Sequence, residues 1–186
     1  MLLRRDGLRG WILGAAMLLS AGTAQGQEIN EIYGKVGYWE IVTKGSQMCV
    51  MKRSYGSIDP AKQQALVVLY DVPRQQVALG WASNEPKFLP AHGHLNFDLA
   101  FVKKSSLDES WGSLSFDYDK QPDTYFLSHM FTGSADSERI LRDLASNEGI
   151  SLFLGPAVLQ ALPLDASDAV KKLRECALKG GGSGAQ

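Results

Sequence analysis

The chain holds three histidines, and two of them, His92 and His94, flank a single glycine. Side chains two apart on an extended strand point to the same side. Both imidazoles could therefore reach one metal ion from the mouth of a strand, with Asp98 on the face of His94 and His129 brought in from elsewhere. The pattern has low specificity. A solvated loop, or one histidine satisfying a local backbone group, accounts for it more simply, and no resident metal or other cofactor is expected. Asp117-Tyr118-Asp119 sets two carboxylates on one strand face with Asp123 close behind, a pattern open to calcium or to acid/base work. A calcium loop needs five or six oxygens at fixed offsets and a glycine for its turn, so a strand ending in a solvated acidic turn is the better reading.

Nucleophilic chemistry has little to stand on. The sequence has no Gly-x-Ser-x-Gly elbow, no Ser-x-x-Lys, no His-Glu-x-x-His, no phosphate-binding glycine loop and no dinucleotide fingerprint. Gly80-Trp81-Ala82-Ser83 matches none of them. No catalytic residue is assigned, although a triad assembled in space leaves no local trace. Cys49 and Cys176 are the two cysteines, and neither has a histidine near it in sequence. In an exported protein they are most simply one disulfide, the alternative being two separately buried thiols.

The elements that must position these groups are mostly strands. Residues 36–43 alternate imperfectly, with Trp39 and Ile41 on one face, and Gly45-Ser46 turns the chain into residues 48–53, where Cys49 and Met51 share a face. Asp59-Pro60 marks a loop, residues 66–70 form a continuous apolar run suited to a central strand, and Val77, Leu79 and Trp81 share a face of the next. Pro86 and Pro90 make a loop of residues 84–93. Beyond it, Leu95, Phe97, Leu99 and Phe101 oppose Asn96 and Asp98, the pattern of a sheet with one wet face. Residues 103–110 are polar and turn the chain, and Leu114, Phe116 and Tyr118 repeat the alternation before an aromatic strand at 125–131.

Residues 134–147 change period, with Ile140, Leu141, Leu144 and Ala145 at helical spacing, Ser134 or Asp136 as cap and Gly149 as stop. Residues 149–176 then frame the fold: an apolar strand, a Gly155-Pro156 break, a second apolar stretch at 158–164, and a helix from near Asp165. This helix puts Ala166, Ala169, Val170, Leu173, Cys176 and Ala177 on one face. If the two cysteines join, the last helix is tied to the first strands. Seven to nine strands without regular strand–helix alternation predict a mainly β fold, an antiparallel β-sandwich or strongly bent sheet with two short helices, one C-terminal. Trp39, Trp81 and Trp111 lie in strands, where core packing is expected and an exposed aromatic surface for a partner is the functional alternative.

Residues 1–26 read as a cleaved signal peptide, with Arg4, Arg5 and Arg9, an apolar run at 11–19 too short to span a bilayer, and small-residue cleavage sites after Ala24 or Gly26. Arg4-Arg5 hints at twin-arginine export, but Asp6-Gly7 follows where such signals carry a polar and then bulky apolar residues. Cleavage leaves 16 basic and 19 acidic residues, a net charge near −3. That gives no electrostatic reason to bind nucleic acid or an anionic membrane, and no membrane span is expected after cleavage. Residues 27–178 suffice for one domain, and 179–186 form a Gly/Ser-rich tail expected to be disordered.

The export signal, the Gly37-Tyr38-Trp39-Glu40-Ile41 strand followed by Cys49, and the closing Leu162-Pro163-Leu164 with the helix at 169–176 resemble the invasion-associated locus B family and related small exported bacterial β-domains. The resemblance is one of layout over most of the mature chain. It implies a β-sandwich and a non-catalytic periplasmic or surface protein linked to host-cell interaction or envelope function. No catalytic residues carry over. The expectation is therefore an exported protein that binds an envelope or host protein. The alternatives are a cell-envelope hydrolase or metal-binding protein using His92, His94 and His129, and a small-ligand carrier with a cavity between sheets.

Overall fold

Alternation of apolar and polar side chains resolves into ten strands. They are β1 (Ile32–Val36), β2 (Trp39–Lys44), β3 (Met48–Tyr55), β4 (Gln64–Asp71), β5 (Gln76–Ser83), β6 (His92–Lys103), β7 (Ser106–Gln121), β8 (Thr124–Thr132), β9 (Gly149–Leu154) and β10 (Ala157–Pro163). Helix α1 (Ser134–Ser146) follows β8, and α2 (Ser167–Gly180) closes the order. This computed structural model describes residues 32–44, 48–56, 63–83, 90–103, 106–121 and 124–180. The signal at 1–26, the Gly45-Ser46 turn, the Asp59-Pro60 loop, Pro86, Asp123 and the tail past Gly180 lie outside them.

All the described strands form one antiparallel sheet in the order β1-β2-β3-β4-β5-β8-β7-β6-β9-β10. The mainly β class with two helices, the second C-terminal, is as the sequence predicts. The first strand expected, over residues 36–43, is β2, and β1 is an additional strand before it, turned back on β2 where Gly37 takes φ +54°. Only glycine adopts this region without strain.

The sheet cannot be flat. Five strand steps at about 4.8 Å would separate β5 from β10 by about 24 Å. Yet Gln160 of β10 accepts a hydrogen bond from Trp81 Nε1 of β5 at 3.2 Å and donates to Ser83 Oγ at 2.8 Å. The sheet therefore bends until its last hairpin faces its middle. The space between is filled by Trp39, Trp81, Phe97, Phe101 and Phe116, each at most 1% exposed. At roughly 25 cal/mol per Å² of apolar surface buried, such side chains dominate the stabilisation. Phe97 and Phe116 meet edge to face at 5.6 Å across the β6–β7 pair.

Both helices pack on this inner side. On α2, Ala166, Ala169, Val170, Leu173, Cys176 and Ala177 are all buried, as their spacing predicts. Cys49 and Cys176 are joined, with Cα atoms 6.1 Å apart, so the last helix is stapled to β3. Arg174 of α2 meets Glu138 of α1 at 2.6 Å, tying the helices together. Outside, Val42, Val50, Val67 and Leu69 form a second apolar cluster, which is why β4 reads as a continuous apolar run.

Local boundaries differ from expectation in instructive ways. His92-Gly93-His94 lie inside β6 and not in a loop, and β6 and β7 pair out to Lys103 and Ser106, so most of the polar stretch 103–110 is strand. Polar composition alone does not mark a turn. Helix α1 begins after Gly133 with no side-chain cap, while Ser137 Oγ donates to the Gln75 carbonyl at 2.8 Å. It stops at Ser146, where Asn147 bonds back to the Asp143 carbonyl, before Gly149 is reached. Helix α2 starts at Ser167, two residues past Asp165, whose φ of +48° ends the preceding strand, and it runs through Lys179 into Gly180. Both edge strands carry a bulge, β1 at Tyr33 and β10 at Leu159, a device that blunts edge-to-edge pairing.

Candidate functional site

The turn between β1 and β2 lifts Tyr38 out of the sheet, where it is 77% exposed. The Arg53 guanidinium of β3 lies 5.1 Å from the Tyr38 ring centroid and 4.6 Å from that of Tyr55, so one cation braces two aromatic rings. Each such contact contributes about 0.5 to 1 kcal/mol at an exposed site. Arg53 also donates to the Leu164 carbonyl, and Trp39 Nε1 donates to the carbonyls of Leu164 and Asp165 at 3.2 and 3.0 Å. The segment leaving β10 is thereby latched to β2 and β3 directly beneath the exposed tyrosine. Burial pushes the Tyr55 phenol up to about 12, with the Arg53 charge opposing it. The Tyr55 hydroxyl is buried and has no hydrogen-bond partner among the described residues.

The residues singled out for metal or acid/base chemistry fall on β6 and β7. Register sets His92 opposite Asp119 and His94 opposite Asp117, so both histidines and both carboxylates share the outer face. His94 Nδ1 bonds the Asp117 carboxylate, with the imidazole 75% exposed. Asp98 shares that face but pairs with Ser113. Four residues along the strand place it about 14 Å from His94, too far to join one ion. Among the described residues no three His, Cys, Asp or Glu side chains converge to hold a metal.

His129 lies on the opposite face. It pairs with core residue Leu79, packs against Phe116 and Phe131 at 5.5 and 4.6 Å, and its Nδ1 donates to the Ser115 carbonyl at 2.8 Å. The sheet thus separates it from His92 and His94, and no three-histidine centre forms. The Asp117 and Asp119 side chains do share one face, as their spacing predicts.

The tryptophans divide. Trp39 and Trp81 are core. Trp111 is the extra residue of a bulge, because Leu99 pairs with Gly112 while Ala100 pairs with Ser110, and Gly112 supplies the positive φ of +64°. The bulge aims the indole at α1, where Nε1 donates to buried Asp143 at 2.9 Å and the Arg139 guanidinium covers the ring at 4.0 Å.

No protein-family model matches the chain, and neither does any curated protein or solved structure. Its own geometry must therefore carry the functional reading. Trp39 and Trp81 are in the core as expected, and the exposed aromatic is Tyr38, which the sequence reading did not single out. The signal that could have found it is Gly37, a glycine interrupting the alternation just before a strand.

Proposed function

We propose that this is an exported, non-catalytic protein of the bacterial periplasm or cell surface that binds an envelope or host protein, with Tyr38 as its anchor. The observation that carries the reading is an exposed aromatic side chain on a two-residue turn, with its ring braced by Arg53. A large ring with few freely rotating bonds is the kind of group that anchors protein interfaces, because little entropy is lost when it is covered. An intramolecular disulfide supports an oxidising compartment. Among the described residues no helix is long and apolar enough to cross a membrane. Affinity capture from envelope extract tests the reading. The wild-type chain and Tyr38→Phe should retain one specific protein, and Tyr38→Ala should lose it at least tenfold. Capture that is absent, or indifferent to Tyr38→Ala, would count against it.

A further inference from the structure

We propose that His92 and His94 form a surface chelate for a borderline divalent cation such as Cu²⁺, Ni²⁺ or Zn²⁺, with Asp117 as a positioning residue. The proposal does not depend on the Tyr38 interface. Three observations carry it.

The two histidines stand two apart on one face of β6, which puts their Cα atoms about 7 Å apart. Imidazoles rooted at that spacing can lean together until both Nε2 atoms lie about 2.0 to 2.1 Å from one ion. The backbone between them is held from below. A Cβ on Gly93 would come within 2.7 Å of the Tyr118 hydroxyl and 2.9 Å of its ring, so the inner face is closed by Tyr118 and both histidines project outward. β9 pairs with β6 only from Asp98 onward, which leaves the histidine half of β6 flanked by β7 alone and open on its other edge among the described residues.

A carboxylate bonded to the ring nitrogen that does not ligate is the arrangement metal-binding histidines use. A carboxylate oxygen accepts, so the Nδ1 atom of neutral His94 carries the proton and its lone pair sits on Nε2, free to ligate. Asp119 stands opposite His92 in the register. Imidazole pairs select Cu²⁺, Ni²⁺ and Zn²⁺ over Mg²⁺ and Ca²⁺, which prefer oxygen ligands, and Cu²⁺ ranks highest on such sites. With only two protein ligands, water fills the remaining positions, so the ion exchanges readily.

The test is a titration of the disulfide-intact chain with Zn²⁺, and separately with Cu²⁺, followed by backbone and imidazole ¹⁵N NMR. Saturable Zn²⁺ shifts confined to residues 91–95 and 116–120, with Cu²⁺ broadening the same signals at lower concentration, are expected. The His92→Ala/His94→Ala variant should lose binding at least tenfold while keeping the dispersed spectrum of a folded chain, and His129→Ala should bind as wild type. Asp117→Asn should weaken binding about tenfold and shift the His94 ring away from the Nδ1-protonated tautomer, which loss of a purely structural contact would not do. Shifts absent at millimolar Zn²⁺, or surviving in the double-histidine variant, overturn the site. An unchanged Asp117→Asn overturns the positioning role.

Discussion

Tyr55 shows how much one hydroxyl can reveal. Its oxygen is buried without a partner among the described residues while its ring stacks on Arg53, so the hydroxyl costs desolvation and returns no hydrogen bond there. Tyr55→Phe should leave stability unchanged or raise it by up to about 1 kcal/mol in urea denaturation, and a loss larger than that would reveal an unseen partner. Because the folded-state value is raised from 10.0 to about 12, the native state holds this proton more tightly than the unfolded chain does. Ionisation of this phenol is therefore no penalty to the fold below about pH 10, and the fold loses stability as pH rises from there through about 12. Alkaline difference spectra should therefore show one tyrosine ionising last, a step that Tyr55→Phe removes. Gln160 makes the opposite case, since both ends of its buried amide are used, by Trp81 and by Ser83. Gln160→Ala leaves a fully buried indole N–H without its acceptor and should cost about 2 kcal/mol in the same assay.

At the scale of elements, glycines facing aromatic rings organise the sheet. A Cβ on Gly80 of β5 would fall 2.6 Å from Phe126 Cζ of β8, so the ring lies across the glycine and secures that strand pair. Gly80→Ala should cost about 1 to 3 kcal/mol. Much of that loss should vanish in a Phe126→Ala background, and full additivity of the two changes would show that the contact does not matter. The inward-facing strands were legible in the sequence wherever alternation ran long. Leu95, Phe97, Leu99 and Phe101 specify β6, and the spacing on α2 specifies its buried face. β1 was not legible, because it is five residues long and contains Gly34. The pairing of His94 with Asp117 was hidden for another reason. Register between two strands is set by the hairpin that joins them, which no single-strand pattern encodes.

For the molecule as a whole, the stretch that ends in α2 is the frame, held at three points: the Gln160 latch to β5, the Trp39 and Arg53 bonds to the chain after β10, and the disulfide to β3. That the two cysteines could meet was legible from the expectation of export and from the helical face that ends on Cys176. That the sheet would fold over to bring β10 onto β5 was not, since bending is a property of the assembled sheet. Replacing both cysteines by alanine should lower stability by about 2 to 5 kcal/mol, because the loop between them is long. The last helix is stapled to β3, and the chain is proposed to be exported. The direct test is the intact mass of the protein recovered from its native host, alkylated with and without prior reduction. A chain beginning near Gln27 that takes no label until reduced, then takes two, with no dimer mass, is the predicted result. A full-length chain with two freely alkylated thiols would contradict both the compartment and the staple.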